Sequence, residues 1–510
     1  MYKFITSSKL RQIVLGLSCL LLILGISFIA SSIPARKTLQ VATGADYPPF
    51  EFQGKGGDLQ GFDIDLIEAI SKAANFEIKF QTLPFDGIIP ALQAKKADVA
   101  IAAMTINAKR SQTVSFSRPY FRDGLAIVIP ADNQDITSLD TLKNKAIAVQ
   151  IGTTSAQKAS EIPGAKIRTF DSAPLTLQEL LNRNVDAALI DLPVTLYAIK
   201  QNNLKGIKII DRLITEEYLG IATPKNSPAV DTINKGLTTI LQNGTYEQIY
   251  RKWFDAKPPQ LPTSIKFENS TNPLKSTTVI LNALPNLLQG ALVTLYLTAC
   301  SVFLGTISGS LIGIARLSPV KILHWATRAY IDFFRGTPLL VQIFMVYFGL
   351  PALLQGLGIN FSLERLTAAV IALSLNSAAY IAEIVRGGIE SIEKGQSEAA
   401  QSLGLGAVAT MRYVILPQAL RRMLPPLGNA FITLIKDTSL VAVIGFEELF
   451  RRGQLIVAES YRAFEIYAAV ALIYLALTLI SSQAFSFLER WMNPDRKFSS
   501  AVVNHTQIGK

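Results

Sequence analysis

Two regimes of hydrophobic patterning divide the chain. From residue 38 to about 256, short apolar runs alternate with amphipathic stretches. From about 285 to 490 the runs lengthen, until each approaches the ~20 residues a bilayer core demands. In the first regime Leu39-Gln40-Val41-Ala42 reads as a strand. Residues 62–74 read as a helix with Phe62, Leu66, Ile70 and Ala73 on one face. A strand at 77–80, a short helix at 87–94 and a buried strand at 99–102 follow. A second unit repeats the order, with strands at 146–150 and 187–190 and helices at 155–160 and 177–182. A last helix opens at Asn243-Gly244-Thr245-Tyr246 and ends at Trp253-Phe254. Strands alternating with helices predict a mostly parallel sheet in each unit, and two α/β lobes hold ligands in the cleft between them.

Pro258, Pro259, Pro262 and Pro273 punctuate a stretch poor in apolar residues, so 258–284 reads as a semi-rigid linker. Five apolar segments follow, near 290–315, 337–355, 366–385, 424–445 and 466–488. Between the first and second stand Arg316, Lys321, Arg328 and Arg335 against Asp332. Between the third and fourth stand Arg386, Lys394, Arg412, Arg421 and Arg422. These basic loops are expected in the cytoplasm. In the fourth-to-fifth loop, Arg451, Arg452 and Arg462 are balanced by glutamates. The odd number of spans then puts residues 36–257 outside and the tail, 491–510, inside. The start of the chain agrees: Lys3, Lys9 and Arg11 precede an apolar run from Ile13 to Ala30, which suits a cleaved signal peptide or a signal anchor over 1–35.

Composition narrows the chemistry. The 510 residues carry a net charge of +11, much of it beside the apolar runs, with no basic stripe of the kind nucleic acid selects. Two cysteines, Cys19 and Cys300, form no CxxC pair, and two histidines with no ligand cluster support no metal site. No GxxxxGK[ST], HExxH or GxSxG string occurs. The chain is therefore expected to be no enzyme and to bind no cofactor, with ATP handled by a partner.

The run from Val41 to Phe52, then Gly61-Phe62-Asp63-Ile64-Asp65-Leu66, resembles the polar amino-acid-binding proteins (family 3) of ABC importers. The resemblance continues through residues 85–92, Lys109-Arg110, Phe116-Ser117 and 243–246. It implies a two-lobed periplasmic-binding-protein fold (type II) over 36–257, with the second lobe at about 129–220. It assigns Arg110 to the ligand carboxylate, a bidentate partner for a group that is costly to bury alone. It assigns Asp191 to the ammonium, although that residue also suits a plain helix N-cap. Tyr47 and Phe85 become aromatic walls. Ala103, Thr105, Gln150, Thr153 and Thr154 complete the pocket, Thr154 having an N-cap as its bland use. Where the family commonly has Asp, this chain has Gly44, and Glu51 reads equally well as a solvated residue.

Residues 285–490 resemble the permease subunits of the same importers, an all-α domain of five transmembrane helices. Phe334-Arg335-Gly336-Thr337-Pro338-Leu339 precedes the second span as in that family. Within the loop 386–422, Glu398-Ala399-Ala400, Gly404 and Leu416-Pro417 match the segment that docks permeases onto their ATPase. A short helix at 397–403 would fit a groove on that partner. Lys436 and Asp437 fall inside an apolar segment, expected beside a helix break near the cytoplasmic face, with their role open.

The reading is a substrate-binding and permease subunit of an ABC amino-acid importer in the bacterial inner membrane. It takes a polar or basic amino acid (arginine, lysine, histidine or glutamine). It works with a cytoplasmic ABC ATPase and a second permease subunit, as a homodimer or with a similar chain. A glutamate-receptor-like channel would interrupt the two lobes with its pore and carry a filter string; here the lobes are contiguous and no such string exists. A membrane-anchored sensor would have no use for the docking segment, and a dehydratase on the same fold none for the permease.

Overall fold

The structure, a computed structural model, describes residues 38–492 apart from 202–203, 212, 266, 268–275 and 360. The expected signal segment, Cys19, much of the linker and nearly all of the tail lie outside the described residues.

The first lobe is built on a five-stranded sheet ordered Glu77–Thr82, Thr38–Thr43, Val99–Ala100, Ala222–Pro224, Val114–Phe116. The second is ordered Lys166–Phe170, Ala146–Gln150, Ala187–Asp191, Leu125–Pro130, Ile207–Asp211. In each sheet two strand pairs are parallel and two antiparallel, not mostly parallel as the alternation predicts. The reason is the hinge. The chain crosses between lobes twice, through Phe121–Asp123 and Glu217–Leu219, which pair with each other. Each crossing delivers a strand that runs against the βα units it joins. The second sheet therefore spans Leu125–Asp211, shifted from the expected 129–220.

The motif residues anchor this frame. Phe62 is fully buried among the rings of Tyr120, Phe121, Tyr246, Tyr250 and Phe254, so the last helix, Thr245–Phe254, closes onto the hinge. Asp63, also fully buried, accepts the Ala103 amide and the Tyr120 hydroxyl, each at 2.8 Å.

Among the described residues five helical segments are long and apolar enough to cross a membrane: Val279–Arg316, Leu339–Gly356, Arg365–Glu390, Ala407–Ile444 and Ala463–Met492. The first and third pack backbone to backbone. Gly305, Gly309 and Gly313, four residues apart, face Ser377, Ala378, Ile381 and Ala382 so closely that a β-carbon on any of them would lie under 3.0 Å from a neighbour. Small residues at this spacing are what helix contact in lipid requires, because no hydrophobic force drives it there. The break beside Lys436 and Asp437 exists: the Leu416–Asp437 helix passes into a 3-10 turn, Thr438–Ile444. It lies toward the binding domain, not the cytoplasmic face. Gly445, the next residue, presses on the Thr169 carbonyl of the second lobe.

The binding domain rests on this end of the bundle. Phe170 and Leu177 share one buried apolar cluster with Tyr347, Val441 and Ile444. Tyr347 donates to Glu179 at 2.5 Å, and Arg451 bonds Asp171 and Thr169.

Candidate functional site

All nine residues the sequence assigns to the ligand line one cavity between the lobes: Tyr47, Phe85, Ala103, Thr105, Arg110, Gln150, Thr153, Thr154 and Asp191. Strand ends and helix starts put them there. Arg110 sits in the one-and-a-half-turn helix Ala108–Thr113, capped by Asn107, whose side chain accepts the Arg110 amide. Its guanidinium is buried, stacks 5.2 Å from the centre of the Phe85 ring and donates to the carbonyls of Thr105 at 2.8 Å and Gly152 at 3.0 Å. The second of these bonds joins the lobes. Tyr47 makes the other crossing, its hydroxyl donating to Asp191 at 2.7 Å. The lobes are thus drawn together around the site.

Asp191 stands at the N-cap position of Leu192–Lys200 but makes no capping bond, so its carboxylate stays in the cleft. Thr153, not Thr154, caps the Thr154–Ser160 helix. Thr154 instead donates to Glu217 at 2.8 Å, as Thr105 does at 2.7 Å. Gln150 donates to the Asp171 carbonyl at 3.2 Å. Its side-chain oxygen has no partner in the protein. Ala103 takes φ 42, a left-handed value that turns its amide onto Asp63.

Three further residues line the cavity: Gly44, Asp46 and Glu51. Glu51 is not the solvated residue it also suggests as sequence; it is 2% exposed. Its Oε1 lies 3.2 Å from where a Gly44 β-carbon would stand. The carboxylate therefore fills the space that an aspartate at 44 would need. A buried Glu following two prolines and a Phe carries no local signal; only the fold turns it inward.

The electrostatics are lopsided. Arg110 shares the cavity with Asp46, Glu51 and Asp191, while Asp63 stands beside Glu51 and Asp123 beside Asp191. Burial pushes the Glu51 carboxyl well above its usual range, helped by Asp63 and Asp46. Burial likewise raises Asp63 to about 7. Asp191 also rises to about 7, through burial and then the Glu217 charge. Burial and Asp191 push Asp123 up. Carboxyls this starved of counter-charge favour a cation.

At the opposite end of the molecule, Lys394–Ser402 forms a short helix, three residues earlier at its start than the sequence suggests. Glu398 and Ala399 are exposed, and Ala400 is buried against the bundle. Gly404 ends it with φ 84, its amide bonding the Gln401 carbonyl at 2.9 Å. Leu416 and Pro417 lie inside the next helical span, where the Met411–Ile415 turn passes into the Leu416–Asp437 helix. Leu403 and Val408 stand 84% and 82% exposed, a bare apolar surface beside the helix.

A two-lobed binding domain with a cleft of this chemistry, seated on five spans that present a protruding loop, defines a binding-protein-dependent importer. Residues 39–256 match the bacterial extracellular solute-binding proteins, family 3. Residues 305–494 match the binding-protein-dependent transport system inner membrane component. The chain is 48% identical over 210 residues to the glutamine transport system permease protein GlnP of Escherichia coli (strain K12), covering 41% of this chain and 94% of that protein. It is 40% identical over 207 residues to the arginine transport system permease protein ArtQ of Bacillus subtilis (strain 168), covering 41% and 92%. A solved ancestral arginine-binding protein bound to arginine is 45% identical, with a TM-score of 0.42, covering 43% of this chain and 99% of that one. The chain belongs to the inner-membrane permease family of ABC amino-acid importers and carries a family 3 solute-binding domain fused ahead of the permease.

Proposed function

We propose that the chain imports basic amino acids, and glutamine with them, by closing its two lobes on the substrate and passing it to a pathway shared with a second copy. The observation that carries this reading is a cavity whose one cation, the buried Arg110, stands among three carboxylates, Asp46, Glu51 and Asp191. Arg110 serves the α-carboxylate and Asp191 the α-ammonium. Glu51, in the space left by Gly44, serves the distal end of a long side chain held between Tyr47 and Phe85. Acidic substrates find no second cation in this cavity. The permease relatives are named for glutamine and for arginine, which agrees.

The test is competition on the full-length chain in lipid nanodiscs, with arginine, lysine, histidine and glutamine displacing one another. Tight binding of glutamate or leucine that none of them displaces would overturn it. Glu51→Gln should cost arginine and lysine about 1.5–3 kcal/mol, the worth of a hydrogen bond to a charged group, and glutamine much less. An equal loss for all three would remove Glu51 from the distal subsite.

The site should also respond to pH. Asp191 titrates at about 7 in the empty site, and the ligand ammonium requires its ionised form. Binding then expels a proton below that value. Affinity should fall as pH drops through about 7, approaching tenfold per unit for one coupled proton, and level off above. Isothermal titration in buffers of different ionisation enthalpy reads the released proton directly; no release at about pH 6 would exclude Asp191 as the ammonium partner.

A separate ATPase is proposed to take the Lys394–Ser402 helix and its bare Leu403 and Val408. Five spans are too few to enclose a pathway. The cavity of about 640 Å³ among them, which Asn376, Tyr380 and Asp437 help to line, draws on only three, so a second copy supplies the facing wall. With the binding domain outside, the docking helix and the tail from 491 to 510 lie in the cytoplasm.

A further inference from the structure

The Leu449–Ser460 helix does more than join the last two spans. Its first turn is held by the second lobe. Arg451 is fully buried and donates to the Thr169 carbonyl at 2.6 Å and to the Asp171 carboxylate. Its last turn reaches the mouth of the ligand cleft. The Ala458 β-carbon lies 3.6 Å from the point where a Gly152 β-carbon would stand, and the Asp86 β-carbon lies 3.5 Å from that same point. Asp86 belongs to the first lobe, Gly152 to the second and Ala458 to the permease. Three bodies meet at one place.

The next residue but two extends the contact. Tyr461 takes φ 57, which turns the chain back at the helix end. It packs, with Leu83 and Phe85, against the buried first-lobe cluster that includes Ile88, Ile89 and Leu92. Phe85 is a wall of the ligand cavity. Between helix and ligand lies a second cavity of about 480 Å³. Arg110, Thr153 and Thr154 face both, and Ile456, Ala458 and Tyr461 form its permease side. The helix thus stands across the cavity that leads from the permease side to Arg110.

A helix of 12 residues is a rigid rod of about 18 Å. Resting one end on each lobe, it can satisfy both contacts at one lobe angle only. When the hinge opens, Asp86 leaves Gly152, while Arg451 keeps its bonds because the second lobe alone holds them. We propose that the Leu449–Ser460 helix and Tyr461 read lobe closure for the permease, with Arg451 as the anchor and Tyr461 as the sensor. This rests on the Arg110 cavity being the ligand site. A closed, filled domain completes the Tyr461 contact; an open one breaks it, and the difference is what the bundle feels.

Two measurements test it on the full chain with its ATPase in nanodiscs, using arginine as the probe. Tyr461→Ala should still bind arginine, with a modest loss because the closed state gives up a contact, so the coupling is read at saturating arginine. It should cut arginine's stimulation of ATP hydrolysis at least about fivefold, the low end of an allosteric coupling, and Tyr461→Phe should restore it. Separately, a disulfide between Asp86→Cys and Ala458→Cys, with Cys19 and Cys300 replaced by Ser, should form several-fold faster with arginine than without. Undiminished stimulation in Tyr461→Ala, or cross-linking indifferent to arginine, would overturn the proposal. Affinity measured in the same preparations keeps this distinct from a failed ligand site, which would appear as lost binding in the unmodified chain.

Discussion

Arg110→Ala is expected to abolish useful ligand binding while leaving the two lobes folded. The side chain is 2% exposed and makes both a bond within its own lobe and one across the cleft, to Thr105 and Gly152. Neither bond belongs to a sheet or to a helix cap; the cap of its own helix is made by its backbone amide, which alanine keeps. The loss therefore falls on the ligand. A carboxylate entering this cleft would meet Asp46, Glu51 and Asp191 with no cation to offset them. Removing one partner of a buried pair costs about 3–5 kcal/mol, a weakening that runs from about 10²-fold to about 4 × 10³-fold. Arg110→Lys keeps the charge but not the planar fork, and should recover only part of the loss. Titration with arginine, alongside circular dichroism of each variant, measures both. Folded Arg110→Ala with near-normal affinity would show that the carboxylate binds elsewhere.

The fold and the site were readable in the sequence to different depths. The five spans follow from apolar length alone and each falls on its run, but the first and fourth begin well before it, at Val279 and Ala407, the latter inside the expected loop 386–422. The pocket residues follow from short motifs, and these work because the motif residues are also core: Phe62 closes the hinge cluster and Asp63 pins the Ala103 amide. The hinge was not readable, because Phe121–Asp123 and Glu217–Leu219 are three-residue strands far apart in the chain with no periodicity to display. Glu51 was readable as an acid near the walls but not as a buried one. Arg451 marks the limit most clearly. In the sequence it is one basic residue in a loop balanced by glutamates. Its burial comes from Asp171, 280 residues away, and from the docking of a whole lobe. Lys436 and Asp437 are similar: their charge flags them, and only the packing places the break toward the binding domain and Asp437 in the wall of the span cavity.

Reversing Glu398 to Lys, or replacing Gly404 with Trp, is expected to abolish uptake without touching ligand affinity. Glu398 is exposed on the Lys394–Ser402 helix, so a lysine is accommodated there without disturbing the packing of the bundle. Gly404 holds φ 84, a left-handed value that costs any other residue about 1–2 kcal/mol, so a side chain there also reshapes the helix end. A β-carbon at 404 would meet nothing within 4 Å, so the indole projects into open space on the proposed docking surface. Both changes touch no residue of the cleft, so ligand affinity measured on the chain without its ATPase should be unchanged. The exposed Leu403 and Val408 give the partner its apolar purchase, and the helix transmits rigid-body motion into the spans only if that purchase holds. Uptake of labelled arginine into proteoliposomes, with co-purification of the ATPase, tests the loop. Loss of transport together with loss of the ATPase from the purified complex is the expected pair of results. Transport that survives both substitutions would place the docking surface somewhere else on the cytoplasmic face.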